Sequence, residues 1–221
     1  MWDLPAGTRY LNPVSGRKEF IDPSIARSAV LIGDSQSAGA QGVKGSDTWV
    51  EMGLASRGYK VCFMGAGGTG FVAATSIAAN YPDAVESGKM VLPYGNPALV
   101  VVQGGGNDAA QGKNDALILA NAARLLRDLK TSYPTSKFLF IGTLARGNQA
   151  DGRRTQVDAL LAGFAQRNGI EFISAGDWLT RYGVTHKMAD GVHLTASGHK
   201  DLSHVLAGKL KALNLAGPRA G

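Results

Sequence analysis

Five short apolar runs, at residues 29–32, 59–63, 99–103, 137–141 and 170–173, constrain this chain more than any other feature of it. They are rich in Val, Ile and Phe and do not alternate with polar residues. That is the pattern of strands buried on both faces of a parallel sheet. Their starts lie roughly 30 to 40 residues apart, and parallel neighbours need a crossover of about a dozen residues or more, usually a helix.

Helical stripes fill the gaps. Ile118, Ala122, Leu125 and Leu129 follow 4-3-4 spacing until Tyr133-Pro134. Val157, Leu160, Leu161 and Phe164 form a second stripe that ends near Asn168-Gly169. A helix over 46–57 carries Trp49, Met52 and Leu54 and closes on Gly58, a C′ glycine. The last helix runs over 196–213 with Thr195 as its N-cap. Five such βα units predict a three-layer α/β/α sandwich on a five-stranded parallel sheet with flavodoxin-like strand order. Residues 1–27 hold Pro5, Pro13 and Pro23 without a period and read as an irregular arm, leaving 28–221 as the single domain.

Composition removes several function classes. Lys and Arg number 23 and Asp and Glu 17, a net charge of +6 that is spread thinly rather than striped with aromatics as a nucleic-acid track would be. It reads as a solvated basic surface, with attraction to an acidic polysaccharide or envelope as the sharper alternative. No apolar run is long enough to span a membrane. The chain opens Met1-Trp2-Asp3-Leu4-Pro5, without the basic head and apolar stretch of a secretory signal. The one cysteine, Cys62, permits no internal disulfide and reads as a small buried hydrophobe.

In open parallel sheets ligands bind beyond the carboxyl ends of the strands. The segments there are Gly33-Asp34-Ser35-Gln36-Ser37, Gly65-Ala66-Gly67-Gly68-Thr69-Gly70, Gly104-Gly105-Gly106-Asn107-Asp108, Thr143-Leu144-Ala145-Arg146-Gly147 and, before the final helix, Asp190-Gly191-Val192-His193-Leu194-Thr195. A serine hydroxyl needs a base to become a nucleophile, and His193 is the natural one for Ser35. Asp190, three residues earlier, can orient the imidazole and stabilise its charged form, with Gly191 permitting the bend. Charge developing on an acyl oxygen needs donors, for which the Ser35 and Gly68 backbone N–H groups and the Asn107 amide are candidates. Arg146, at the end of the fourth strand, is a possible substrate contact. Asp34 and Ser37 read as turn and helix-start residues, and His186, His199 and His204 as surface or helix residues. The Gly65-x-Gly67-x-x-Gly70 run follows a strand, but no acidic residue ends the next strand, which disfavours a dinucleotide site. The Gly-x-Ser-x-Gly elbow of α/β-hydrolases is absent.

Together these segments resemble the blocks of the SGNH hydrolases, also called GDSL esterases and lipases. Gly33-Asp34-Ser35-Gln36-Ser37 is similar to the nucleophile block, Gly105-Gly106-Asn107-Asp108 to the Gly-x-Asn-Asp block, and Asp190-Gly191-Val192-His193 to the Asp-x-x-His block. Gly68 resembles the oxyanion glycine of the second block, where Gly65 and Gly67 compete with it and Phe63 replaces a frequent Asn. The resemblance covers about 28–213. It implies a Ser/His/Asp mechanism with no metal or organic cofactor, and a small-molecule or carbohydrate ester as partner. Gly67-Gly68-Thr69-Gly70 is most similar to secreted bacterial members, which implies an extracytoplasmic protein whose leader has been removed. Three activities follow from the resemblance: hydrolysis of small acyl esters, with acetyl groups on a carbohydrate foremost; acyl transfer to a sugar hydroxyl; and, in a degenerate member, envelope binding without catalysis. The loops at 36–48, 71–97 and 144–153 are expected to wall the cleft.

Overall fold

A computed structural model describes residues 4–147, 149 and 151–218. In chain order the elements are β1 (Arg9–Leu11), β2 (Lys18–Ile21), β3 (Ser28–Gly33), α1 (Ser35–Ala38), α2 (Trp49–Ala55), β4 (Lys60–Gly65), α3 (Tyr81–Glu86), β5 (Pro93–Tyr94), β6 (Leu99–Gln103), α4 (Gly106–Ala110), α5 (Asp115–Ser132), β7 (Lys137–Ile141), α6 (Arg153–Arg167), β8 (Glu171–Ile173), α7 (Trp178–Arg181) and α8 (Ala196–Ala212). All five strands expected from the apolar runs are present. They form one parallel sheet in the order β4-β3-β6-β7-β8, the flavodoxin-like arrangement.

The absence of alternation in these strands has a direct cause in the packing. Residues of opposite parity feed two separate cores. Val30, Ile32, Val100, Val102 and Phe140 pack with α3, α5 and α6 on one face. Ala29, Leu31, Leu99, Val101, Leu139 and Ile141 pack with α2, α7 and α8 on the other. Each fully buried Val, Leu, Ile or Phe contributes about 1.5–3 kcal/mol, so neither face of a central strand has room for a polar side chain without a partner. Helices α2 and α8 approach closely because Gly53 lies under Leu206: a Cβ at Gly53 would come within 2.7 Å of that side chain.

Helix caps follow their residue types. Asn114 accepts from the Ala116 N–H at the start of α5 and Thr195 from the Gly198 N–H at the start of α8. The helix expected over 46–57 is divided. A 3₁₀ turn at Gly45–Asp47 ends at Thr48, whose hydroxyl caps α2 instead. Gly58 follows that helix with φ +85°, as a C′ glycine.

The segment expected to be an irregular arm, 1–27, is corrected over its described part. β1 and β2 form an antiparallel hairpin, and β5 adds to β2 in parallel. The alternation of β2 is real but hidden, because one of its inward residues is Glu19. Glu19 is fully buried and accepts from Asn12 Nδ2 at 2.9 Å and Ser15 Oγ at 2.9 Å. Its desolvation raises its pKa despite those bonds. Arg17 joins the hairpin to α5 through Asp128 at 3.0 Å.

Candidate active site

β3 ends at Gly33, and the chain turns at once into α1. Asp34 is the N-cap: its carboxylate accepts from the Gln36 N–H at 2.9 Å. It is wholly buried, and desolvation pushes its pKa up to about 6 against the pull of that N–H and of the Arg154 charge. Ser35 is therefore the first residue of a helix, half-buried, at the carboxyl end of β3. Ser37 points the other way and donates to Gln103 Oε1 at 2.9 Å.

His193 and Asp190 reach Ser35 from the loop before α8. The Ser35 hydroxyl lies 2.9 Å from His193 Nε2, and His193 Nδ1 lies 2.7 Å from Asp190 Oδ2. A tautomer with the proton on Nδ1 donates to Asp190 and leaves Nε2 to accept from Ser35. The loop builds this geometry from its own backbone. Asp190 Oδ1 accepts from the Val192 N–H at 2.9 Å and the His193 N–H at 2.7 Å. The turn passes through Gly191 at φ +78°, a conformation that a side chain disfavours. The Ala189 N–H donates to the His193 carbonyl at 2.7 Å, closing the base of the loop. Partial burial works against the Asp190 charge. The His193 ring, the two loop N–H groups and the Gln41 amide outweigh it and hold the carboxyl well below the usual carboxylate range.

Gly68, in the loop after β4, and Asn107, in the first turn of α4, converge here. A Cβ at Gly67 would lie 3.6 Å from the Ser35 Cβ, so the backbone of the second loop passes beside the serine. Among the described residues neither the Ser35 nor the Gly68 backbone N–H has an acceptor within the protein. Asn107 Nδ2 donates to the Thr69 carbonyl at 2.9 Å and stands 3.4 Å from Asp34 Oδ2. It is thus tied to the Gly68 loop on one side and to the serine loop on the other. Ser35, His193, Asp190, Gly68 and Asn107 come together. Arg146 does not join them: it is exposed, at the rim of a 240 Å³ cavity that it shares with Val192.

Several residues that shape the site do not stand out in the sequence. Asp108 is fully buried and accepts from the backbone N–H groups of Phe71, Val72 and Ala73 at 2.9, 2.7 and 2.8 Å. It fixes the far end of the second loop, and a Cβ at Gly70 would fall 2.3 Å from it. Gln41 Nε2 donates to Asp190 Oδ2 at 2.9 Å, and Gln36 Nε2 to the Val192 carbonyl at 2.8 Å, so the first loop clasps the last. His199, read as a surface or helix residue, does lie on α8, but on its buried face, 2% exposed, where Nδ1 accepts from the Trp49 N–H at 3.0 Å. Burial, aided by the charge of His193, pushes its pKa down to about 4 and keeps it a neutral acceptor. The spacing of His199 to Leu202, Ser203 and Leu206 on the inner face of α8 is the signal that could have found it. Cys62 packs half-buried against the core, and burial pushes its thiol up to about 11.

Among the described residues no cluster of metal-ligating side chains is present, and no helix is long and apolar enough to cross a membrane. A family model for GDSL-like lipases and acylhydrolases matches residues 31–200. No curated protein matches the chain in sequence. Solved structures similar to it include a lipolytic G-D-S-L family member from Veillonella parvula, at 18% identity and a TM-score of 0.64 over 84% of this chain and 98% of that one. Est24, a carbohydrate acetylesterase from Sinorhizobium meliloti, is 20% identical with a TM-score of 0.61 over 85% and 99%. A carbohydrate esterase family 2 enzyme with a carbohydrate-binding domain, from Corynascus thermopiles (Myceliophthora fergusii), is 18% identical with a TM-score of 0.67 over 89% and 70%. At such identities the likeness to each structure is one of fold.

Proposed function

The chain belongs to the GDSL-like lipase/acylhydrolase family and is a carboxylic ester hydrolase, and we propose that it cleaves small acyl esters, foremost acetyl esters of a carbohydrate, through an acyl-enzyme on Ser35. The observation that carries this reading is the unbroken chain of two short contacts from Ser35 Oγ through His193 to Asp190.

In the reaction, Ser35 Oγ attacks the acyl carbon while its proton passes to His193 Nε2. Asp190 keeps the imidazole in the productive tautomer and stabilises the imidazolium. The oxyanion of the tetrahedral intermediate accepts from the free N–H groups of Ser35 and Gly68 and from the Asn107 amide, which must turn one of its hydrogens toward it. Collapse breaks the ester C–O bond, and the departing alcohol takes the proton from His193. Water, deprotonated by His193, then attacks the acyl-enzyme, and acid and free Ser35 are released. Apart from the ester and the attacking water, the groups in these steps are side chains and backbone amides of the chain itself. The acetyl and carbohydrate preference is supported by two of the similar structures, a carbohydrate acetylesterase and a family 2 carbohydrate esterase.

Ser35→Ala should lower kcat on a chromogenic acetyl ester by a factor on the order of 10⁶, the scale of losing a triad nucleophile. Full activity in that variant would overturn the reading. Transfer to a sugar hydroxyl shares every step up to the acyl-enzyme, and product analysis with an added acceptor separates it from hydrolysis.

A further inference from the structure

The cavity that reaches Val192, the neighbour of His193 in the chain, has eight lining residues, of which three are arginines, Arg146, Arg153 and Arg154, and none is acidic. A guanidinium carries five N–H donors and a permanent charge. Arg153 is satisfied: it donates to the Lys113 carbonyl at 2.8 Å and pairs with Asp115. Arg154 is not. It is only 8% exposed, and its hydrogen bond among the described residues is one long contact, 3.4 Å from Nη1 to the Leu144 carbonyl. Neither it nor Arg146 has a carboxylate within ion-pair distance among the described residues.

The position of Arg154 is as telling as its lack of a partner. Its guanidinium lies against Gly106, where an added Cβ would come 2.8 Å from Nη1, and Gly106 is the residue before Asn107. On the other side the cavity wall is Val192, the residue before His193. Desolvation pulls the Arg154 pKa down, with Asp34 the first of the charges that oppose it. A buried charge without a partner is costly to keep, and a ligand that brings the missing anion removes that cost. Planar forks of N–H donors match carboxylate and phosphate oxygens.

We propose that this cavity is an anion subsite, in which Arg154 and Arg146 bind a carboxylate or phosphate substituent on the alcohol half of the ester. The alcohol half is indicated because His193 returns its proton to the departing oxygen, and the residue before it in the chain, Val192, lines the cavity. This assignment rests on the reading of Ser35 and His193 given above, and it narrows the substrate class from esters of carbohydrates to esters of anionic ones.

The test compares three acetyl esters on one sugar ring: an acetylated methyl glucoside, the matching glucuronoside and the matching glucoside 6-phosphate. The wild-type kcat/KM should be at least tenfold higher for one or both anionic esters, carried mainly by KM. Which of the two is preferred tells an acidic sugar from a sugar phosphate. In Arg146→Ala and in Arg154→Met that ratio should fall to threefold or less. Because the ratio is internal to each preparation, partial loss of folded protein does not affect it. Arg146 is exposed, so its variant serves if Arg154→Met fails to fold. A wild-type ratio near one, or a preference that survives both substitutions, would sink the subsite. Ser35→Ala is assayed in parallel: if it still hydrolyses the esters, the nucleophile assignment falls, while the wild-type ratio continues to report on anion binding alone.

Discussion

Two loops meet at Ser35, and they are held in place by different means. The Asp190–His193 loop is organised locally: one carboxylate, within three residues of the histidine, takes two backbone N–H groups and the imidazole. The glycine-rich loop from Gly65 to Ala73 is organised from a distance: the carboxylate of Asp108, more than thirty residues away, takes three of its N–H groups. Both loops are ordered by an aspartate bonded to backbone, a strong way to fix irregular chain because each bond is charge-assisted. They differ in what faces the remaining oxygen lone pairs. Asp190 is a third exposed and turned to the imidazole; Asp108 is buried and turned wholly to the protein.

The same isosteric change should therefore give opposite outcomes at the two sites. Asp190→Asn keeps one oxygen for the Val192 and His193 N–H groups but turns an NH₂ toward His193 Nδ1. The imidazole then favours the wrong tautomer, and kcat should fall by about 10⁴ with unfolding free energy altered by less than about 1 kcal/mol. Steady-state kinetics alongside denaturant titration reads both quantities. A loss of stability in step with the loss of rate would mean that Asp190 is a structural residue first.

Asp108→Asn should do the reverse. An amide NH₂ would face the Phe71 N–H in a site closed to water, leaving a buried donor opposed by another donor. The expected cost is roughly 3 kcal/mol of stability, seen as a lower urea midpoint at unchanged slope. Activity should drop only about tenfold or less, through looser placement of Gly68 and Thr69. A stability change under about 1 kcal/mol would show that the loop is held by something other than this carboxylate.

The contrast also explains what could be read in the sequence. The five parallel strands were legible because burial on both faces leaves an unbroken apolar run. Asp190 and His193 were legible because their interaction is closed within one short segment. Asp108 stands beside Asn107 in plain view, yet nothing in the letters says that its carboxylate reaches back to Phe71. Arg154 reads as one more basic residue at a helix start, and only folding sets it against Gly106. The N-terminal hairpin escaped because Glu19 occupies an inward position that a period-two reading reserves for apolar residues, its partners Asn12 and Ser15 lying across a turn. His199 escaped for the same reason on a helix: a titratable side chain sits on the buried stripe because Trp49 supplies an N–H to its ring. Arg154 apart, each misleading residue is a buried polar group satisfied by a partner that periodicity cannot indicate.

One contact crosses the division between local and distant support, and it gives the smallest effect. Gln41 donates to Asp190 Oδ2 from outside the loop, in a backbone conformation with φ +52° that glycine adopts more easily. Gln41→Gly removes the amide while easing the backbone, so the variant isolates the bond from the strain. If the loop supports Asp190 mostly by itself, losing one exposed neutral donor should reduce kcat/KM by about threefold to tenfold, on the scale of a single net hydrogen bond. An unchanged kcat/KM would make the Asp190–His193 loop wholly self-supporting. A loss approaching that of Asp190→Asn would instead place the first loop among the determinants of the imidazole's orientation, and the two loops at Ser35 would then differ less in kind than in the distance their supports span.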